Sequence, residues 1–114
     1  MKLAFVIVSA LLASACASHQ SVEQPPQVAR GQTLVEQHCS TCHATGRIGD
    51  SPAPEAPPFR KLSQNYRVDA LEEAFAEGIS VGHPAMPQFA FAPDDVSALV
   101  AYLQSIQDAP SSSE

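Results

Sequence analysis

Two stretches of the chain place apolar side chains at helical spacing and predict its longest helices. The first helix is predicted from about residue 28 into Cys39, and the residues that recur at helical spacing are Val28, Gly31, Leu34, Val35 and His38. The second opens at Pro93, Asp94 and Asp95, because proline and acidic residues are favoured in the first turn of a helix. Its buried stripe is predicted to contain Val96, Leu99, Val100, Leu103 and Ile106. On the first helix, His38 is expected to face solvent.

The chain between these helices has less regular structure. A short amphipathic helix is predicted over Val68 to Glu77 and should end at Gly78. Residues 46–58 contain two glycines and four prolines, which excludes a regular helix there. Residues 79–92 are predicted to form a second irregular segment. No strand pattern precedes Cys39, and the predicted fold class is all-α with about three to four helices.

The first 17 residues have the features of an export signal. Lys2 precedes an apolar core at residues 3–12, and small residues follow before Cys16. This apolar core is about ten residues long, whereas roughly twenty are needed to span a bilayer as a helix. Two processing routes fit: lipidation of Cys16 as in a lipoprotein, although Ala13 stands where leucine is usual, or ordinary signal cleavage. The mature chain is expected to be periplasmic, either soluble or lipid-anchored.

The chain length limits the number of domains, and the net charge limits the class of partner. About 98 residues remain after the signal, which is enough for one domain with a small core. Residues 18–27 are predicted to be a flexible leader, residues 28–108 the folded domain and residues 109–114 a disordered tail. The whole chain has 6 basic and 12 acidic residues; without Lys2 this becomes 5 against 12, a net charge of −7. The charge argues against nucleic acid as a partner and favours a protein with a basic docking surface.

Residues 39–43, Cys-Ser-Thr-Cys-His, have the spacing of an attachment site for c-type haem. Two thiols separated by two residues can form thioethers with the two vinyl groups of a porphyrin, and His43 can supply a ring nitrogen to the iron. A structural zinc site needs four ligands, and a thioredoxin-like dithiol needs a βαβ pattern; neither is visible here. Cys39 and Cys42 are therefore predicted to hold one covalent haem c, with His43 as an iron ligand.

Met86 is the candidate for the second iron ligand. It lies between Ala85 and Pro87 in the second irregular segment and is the only methionine after Met1. A thioether sulfur favours ferrous iron, so His/Met ligation raises the reduction potential and leaves no open position for a substrate. A lone methionine is more often core filler, but neighbouring prolines stiffen this loop and favour the ligand role. His83 is the alternative ligand, which would give a bis-His haem of lower potential.

These motifs together resemble those of class I, mitochondrial-type cytochromes c of the bacterial monohaem kind. The resemblance covers residues 28–107. It rests on the CxxCH motif near the start of the domain, on Met86, Pro87 and Phe89 in a late loop, and on Leu-Val-Ala-Tyr-Leu at residues 99–103. It implies the small all-α cytochrome c fold, built around one covalent haem.

The resemblance also implies two contacts. The first and last helices should cross where Gly31 faces Tyr102. A proline after the haem motif should accept a hydrogen bond through its carbonyl oxygen from the free ring nitrogen of His43, which fixes the orientation of the ring. Pro57 fits this role, and the adjacent Pro58 offers a second alignment.

The sequence therefore predicts a one-electron carrier that catalyses no reaction of its own. The expected partners are redox proteins such as a dehydrogenase, a cytochrome complex or a terminal oxidase. Two alternatives stay open: a peroxide- or gas-binding enzyme or sensor with an open or bis-His haem site, and a dedicated cytochrome subunit of one dehydrogenase. Arg60, Lys61 and Tyr66 are candidates for hydrogen bonds to the haem propionates.

Overall fold

The computed structural model describes residues 23–78 and 85–109. Within these ranges the chain forms helices and no β-strand. The elements are α1 at Pro26–Cys39, 3₁₀ helices at Phe59–Gln64 and Val68–Ala70, α2 at Leu71–Glu77, and α3 at Pro93–Ser105. No helix in the described part has the length and apolarity needed to cross a membrane. The all-α prediction is confirmed.

Several predicted features lie outside the described residues. They are the export signal over residues 1–17 with Cys16, residues 18–22 of the leader, residues 79–84 of the second irregular segment with His83, and residues 110–114 of the tail. The end of the leader is described and differs from the prediction: α1 begins at Pro26, two residues before Val28. Proline is favoured at a helix start because its missing amide hydrogen would have no partner there and its φ angle is already helical.

The helix predicted over Val68 to Glu77 is present but has two parts. Its first turn is the 3₁₀ helix Val68–Ala70, and the α-helical part begins at Leu71. Gly78 ends the helix as predicted, with a left-handed φ of 72° and an amide that donates to the carbonyl of Ala74 at 3.0 Å. This conformation at Gly78 ends α2 sharply.

Helices α1 and α3 cross at Gly31, where the two backbones are in close contact. A β-carbon added to Gly31 would lie 2.7 Å from Cβ of Tyr102 and closer still to the carbonyl oxygen of Ala98. Only glycine permits this approach, so the crossing implied by the family resemblance is confirmed. Arg30, one residue earlier, pairs with Asp95 at the start of α3 at 2.5 Å.

Helix α3 provides most of the hydrophobic core. All five residues of its predicted stripe are buried, and Ala98 and Tyr102 are buried as well. The main cluster joins α1 and α3 to the two 3₁₀ helices, and its members are Val35, Phe59, Leu62, Val68, Leu99, Tyr102, Leu103 and Ile106. Because α3 is covered on more than one side, its buried surface is wider than one stripe.

The loop after the cysteine motif is held by side chains that donate to backbone carbonyls. The hydroxyl of Tyr102 donates to Thr45 at 2.8 Å, and the guanidinium of Arg60 donates to Gly49 at 2.7 Å. Arg47 donates to the carbonyl of Ser105 at the end of α3. The bonds of Tyr102 and Arg47 hold this part of the chain to α3, and the bond of Arg60 holds it to the first 3₁₀ helix.

Candidate functional site

An apolar cavity of about 370 Å³ lies inside the helical frame. Its walls come from all three α-helices, from both irregular segments and from the first 3₁₀ helix. The apolar side chains that line it include Val35, Leu62, Leu71, Phe75, Leu99 and Leu103. This volume is within the range of pockets that bind small molecules and cofactors.

The cysteine motif sits at the end of α1, beside this cavity. The amides of Cys42 and His43 both donate to the carbonyl of Cys39, at 3.2 and 3.0 Å, so the chain turns tightly as soon as the helix ends. This turn brings Cys39 and His43 to the same cavity wall, while Cys42 is exposed. No disulfide joins Cys39 and Cys42, so each sulfur can form a thioether.

The two thiols have different surroundings. Cys39 is partly buried, and this burial raises the pKa of its thiol to about 11, because a charged thiolate is poorly solvated there. Before a thioether forms, this burial favours the neutral form of the Cys39 thiol at physiological pH. Cys42 is open to solvent, so the motif has one attachment point at the cavity wall and one at the protein surface.

His43 is buried, with 8% of its surface exposed, and its ring is held from two sides. Its Nδ1 lies 2.9 Å from the carbonyl oxygen of Pro57, and its ring centroid lies 4.5 Å from that of Phe59. Since a carbonyl oxygen can only accept, Nδ1 must carry the proton. The neutral ring then has the lone pair of Nε2 available for a metal.

Of the two prolines that fit the sequence, Pro57 contacts His43. The carbonyl of Pro58 instead accepts the amide of Lys61 at 3.0 Å, in the first turn of the 3₁₀ helix. The amide of Phe59 donates to Ala44, the residue after His43, also at 3.0 Å. This bond ties the two loop ends together and sets the Pro57 carbonyl beside the imidazole.

Met86 lines the same cavity as His43, and it is partly buried there. Pro87 and Phe89 lie beside it in the cavity wall. The structure thus brings together the two residues predicted as axial ligands, although they are 43 positions apart in the chain. Their ligation of iron stays a prediction, and the alternative ligand His83 lies outside the described residues.

The three candidates for propionate binding are not equivalent. Tyr66 lines the cavity, with 60% of its surface exposed. The guanidinium of Arg60 is already engaged, by the carbonyl of Gly49 and by Asp108 at 3.7 Å. Lys61 is exposed and is not part of the cavity wall. Only Tyr66 of the three is therefore at the cavity.

Phe91 is a cavity residue that the sequence does not mark clearly. It stacks on Phe89 with ring centroids 5.6 Å apart, and its amide donates to the carbonyl of Phe75 in α2 at 2.9 Å. The one available signal is the alternation of Phe89 and Phe91, which places both rings on one side of an extended segment. These rings form the wall next to Met86.

The residues present suit a haem. The apolar walls match a porphyrin, His43 offers an oriented nitrogen donor, and Met86 adds a soft sulfur donor in the same cavity. Cys39 and Cys42 supply thiols at the spacing that covalent attachment needs. Fold and cavity together define the class: a small helical domain for a covalently bound redox cofactor.

Comparison with known proteins agrees with this class. A model of the cytochrome c family matches residues 28–107, and the chain belongs to that family. It is therefore a haem-binding electron carrier, and its haem c is covalently bound. No curated protein and no solved structure gives a significant match to this chain.

Proposed function

We propose that this protein carries single electrons through one haem c, with His43 and Met86 as the axial ligands, between redox proteins outside the cytoplasm. One observation carries the ligand assignment: both side chains line a single apolar cavity beside Cys39. When bound, the haem supplies an iron that alternates between the ferric and ferrous states. The chain's own residues hold that iron, set its potential and give partners access to it.

His43 contributes orientation and basicity. The hydrogen bond from Nδ1 to Pro57 at 2.9 Å fixes the tautomer and limits rotation of the ring. The neighbouring Phe59 ring, 4.5 Å away, packs on the imidazole. With both restraints, the ring keeps one position in both oxidation states, which lowers the structural change that accompanies electron transfer.

Ligation of the iron by Met86 decides whether the protein acts as an electron carrier or as an enzyme. A sulfur ligand on the second axial position favours ferrous iron and leaves no site for peroxide or a gas. The apolar walls around it exclude water and disfavour an additional positive charge in the cavity. Both effects raise the reduction potential, as suits an acceptor of electrons from a dehydrogenase or a cytochrome complex.

The protein surface determines how redox partners approach the cofactor. Cys42 is exposed, so one attachment point of the cofactor reaches the protein surface, where a partner can approach. The excess of acidic residues favours partners with basic docking surfaces, such as a dehydrogenase, a cytochrome complex or a terminal oxidase. Location in the periplasm, free or tethered through Cys16, follows from the export signal predicted over residues 1–17.

The visible spectrum of the exported protein tests the ligand assignment. Oxidised wild-type protein should be low-spin, with the weak far-red band of a sulfur-to-iron transition. Met86→Ala should lose this band, while Gln88→Ala, at an exposed neighbouring position, should keep it. A Met86→Ala spectrum that stays low-spin and unchanged would point to His83, and a high-spin wild-type spectrum would favour an open site.

A further inference from the structure

We propose that His38 is a positioning residue for Met86. Its imidazole ring holds the Met86 segment, residues 85–92, against the C-terminal end of α1. The proposal rests on the proposed role of Met86 as an iron ligand and names the residue that keeps this ligand in place. His38 itself does not contact the iron in this account.

The contact is made by ring edges. The His38 ring lies 5.3 Å from Phe91 and 5.8 Å from Phe89, measured between ring centroids, with interplanar angles of 75° and 66°. Phe89 and Phe91 are themselves stacked at 5.6 Å. Edge-to-face packing at these distances is a favourable geometry for aromatic pairs. His38 therefore packs on two rings that are stacked on each other.

These rings belong to the segment that must hold the sulfur. Phe89 and Phe91 follow Met86 by three and five residues, and all three line the cavity. On its other side the segment is attached to α2: the amide of Phe91 donates to Phe75 at 2.9 Å, and the two rings pack with centroids 6.2 Å apart. Within residues 23–78 and 85–109, every aromatic contact from α1 to this segment involves His38.

The contact is important because of the position of His38 on α1. It directly precedes Cys39, the residue that ties α1 to the cofactor. The contact at this position links α1, which carries Cys39, to the segment that carries Met86. His38 is also exposed and is not a member of the buried core. Its ring therefore acts on the segment more than on the overall fold.

Loss of the ring should let the Met86 segment move away from α1 more often. An added ligand then competes more successfully for the second axial position, because its apparent affinity increases with the fraction of molecules in which Met86 is displaced. The helix itself should not suffer, since alanine has a higher helix propensity than histidine.

The test is the affinity of imidazole for the ferric iron of the intact, haem-loaded protein. His38→Ala should bind imidazole about tenfold more tightly than wild type, if two edge contacts are lost. His38→Phe keeps an aromatic edge and should restore nearly wild-type affinity. Gln37→Ala, one position earlier on the exposed side of α1, is the matched control and should behave as wild type.

The outcomes separate the possible roles. An unchanged affinity in His38→Ala, or an equal increase in His38→Ala and His38→Phe, would overturn the packing role of His38. A lower global stability in His38→Ala without tighter imidazole binding would also overturn it, because that is a purely structural effect. A failure of the assignment of Met86 as an iron ligand would be seen separately. In that case Met86→Ala and wild type would have the same visible spectrum.

Discussion

The Nδ1 atom of His43 lies 2.9 Å from the carbonyl oxygen of Pro57, 14 positions further along the chain. This hydrogen bond connects the cysteine motif to the Pro-rich loop. The loop has no regular secondary structure, yet it is held in place at Pro57. The loop places the Pro57 carbonyl at the imidazole, so its backbone conformation determines the orientation of His43. The contact also determines which nitrogen of His43 is available to the iron.

Pro57→Ala should raise the reduction potential. Replacement of proline loosens the backbone that presents the carbonyl, which weakens the hydrogen bond to His43 and makes the imidazole a poorer donor to ferric iron. Pro58→Ala is the matched control, because the Pro58 carbonyl bonds Lys61 instead. Both variants should lose about 0.4–1 kcal/mol of stability, but only Pro57→Ala should shift the potential in a redox titration. Equal potentials in the two variants would contradict this role.

Gly31→Ala should strongly destabilise the protein. The added β-carbon would collide with the backbone of Ala98 and with Cβ of Tyr102, neither of which can move without separating α1 from α3. Overpacking of this kind costs about 1–3 kcal/mol or more. Gly46→Ala is the control, because nothing lies within 4 Å of a β-carbon there. Denaturant unfolding of the haem-loaded protein measures the difference, and similar midpoints for the two variants would contradict the close crossing.

The free energy of unfolding should fall at alkaline pH because the Tyr102 hydroxyl loses its proton. Burial raises the pKa of its hydroxyl, the negative charge of Glu36 adds to this increase, and Arg47 opposes it. The folded state therefore keeps the proton longer than the unfolded state does. This contribution is fully present below the ordinary tyrosine pKa of about 10 and is lost as the pH rises through the higher folded-state pKa.

The variant that tests this is Tyr102→Phe. It should lose about 1 kcal/mol at neutral pH with the hydrogen bond to Thr45, and its stability should decline less steeply above pH ~10. Tyr66→Phe, at an exposed ring, should keep the wild-type decline. The measurement is the free energy of unfolding as a function of pH. A Tyr102→Phe profile parallel to wild type would show that another group causes the decline.

Removal of the haem should abolish the cooperative fold. The apolar side chains that line the cavity of about 370 Å³ would then be in contact with water, and a small domain has only about 5–15 kcal/mol of stability to offset that loss. The double variant Cys39→Ser, Cys42→Ser, purified without haem, should show reduced helical circular dichroism and no sharp thermal transition. A cooperative transition at the wild-type temperature would mean that the helices need no cofactor.

The sequence predicts the helical frame well and the irregular parts poorly. The stripe on α3 and the stop at Gly78 depend on local rules of periodicity and capping, and both are present. The crossing at Gly31, which the family resemblance implies, is present as well. The 3₁₀ helix Phe59–Gln64 was not predicted. Its two buried residues, Phe59 and Leu62, are three positions apart, and so short a run has too few turns to show a period.

The residues of the candidate site also differ in how well the sequence predicts them. The cysteine motif is a local pattern, so Cys39, Cys42 and His43 are visible in the sequence. The choice of Pro57 over Pro58 depends on the path of the loop, which composition alone does not fix. His38 was expected to face solvent and is exposed, yet its ring packs on Phe89 and Phe91. This contact joins residues about 50 positions apart, and no short-range rule predicts it.

The central claim is that both axial positions are filled and that the iron changes only its oxidation state. A spectrophotometric redox titration of the exported protein, followed by exposure of the reduced form to carbon monoxide, tests it most directly. We expect a single reversible one-electron transition, low-spin spectra in both states and no carbon monoxide complex. A high-spin component or a ready carbon monoxide complex would instead identify a ligand-binding haem protein.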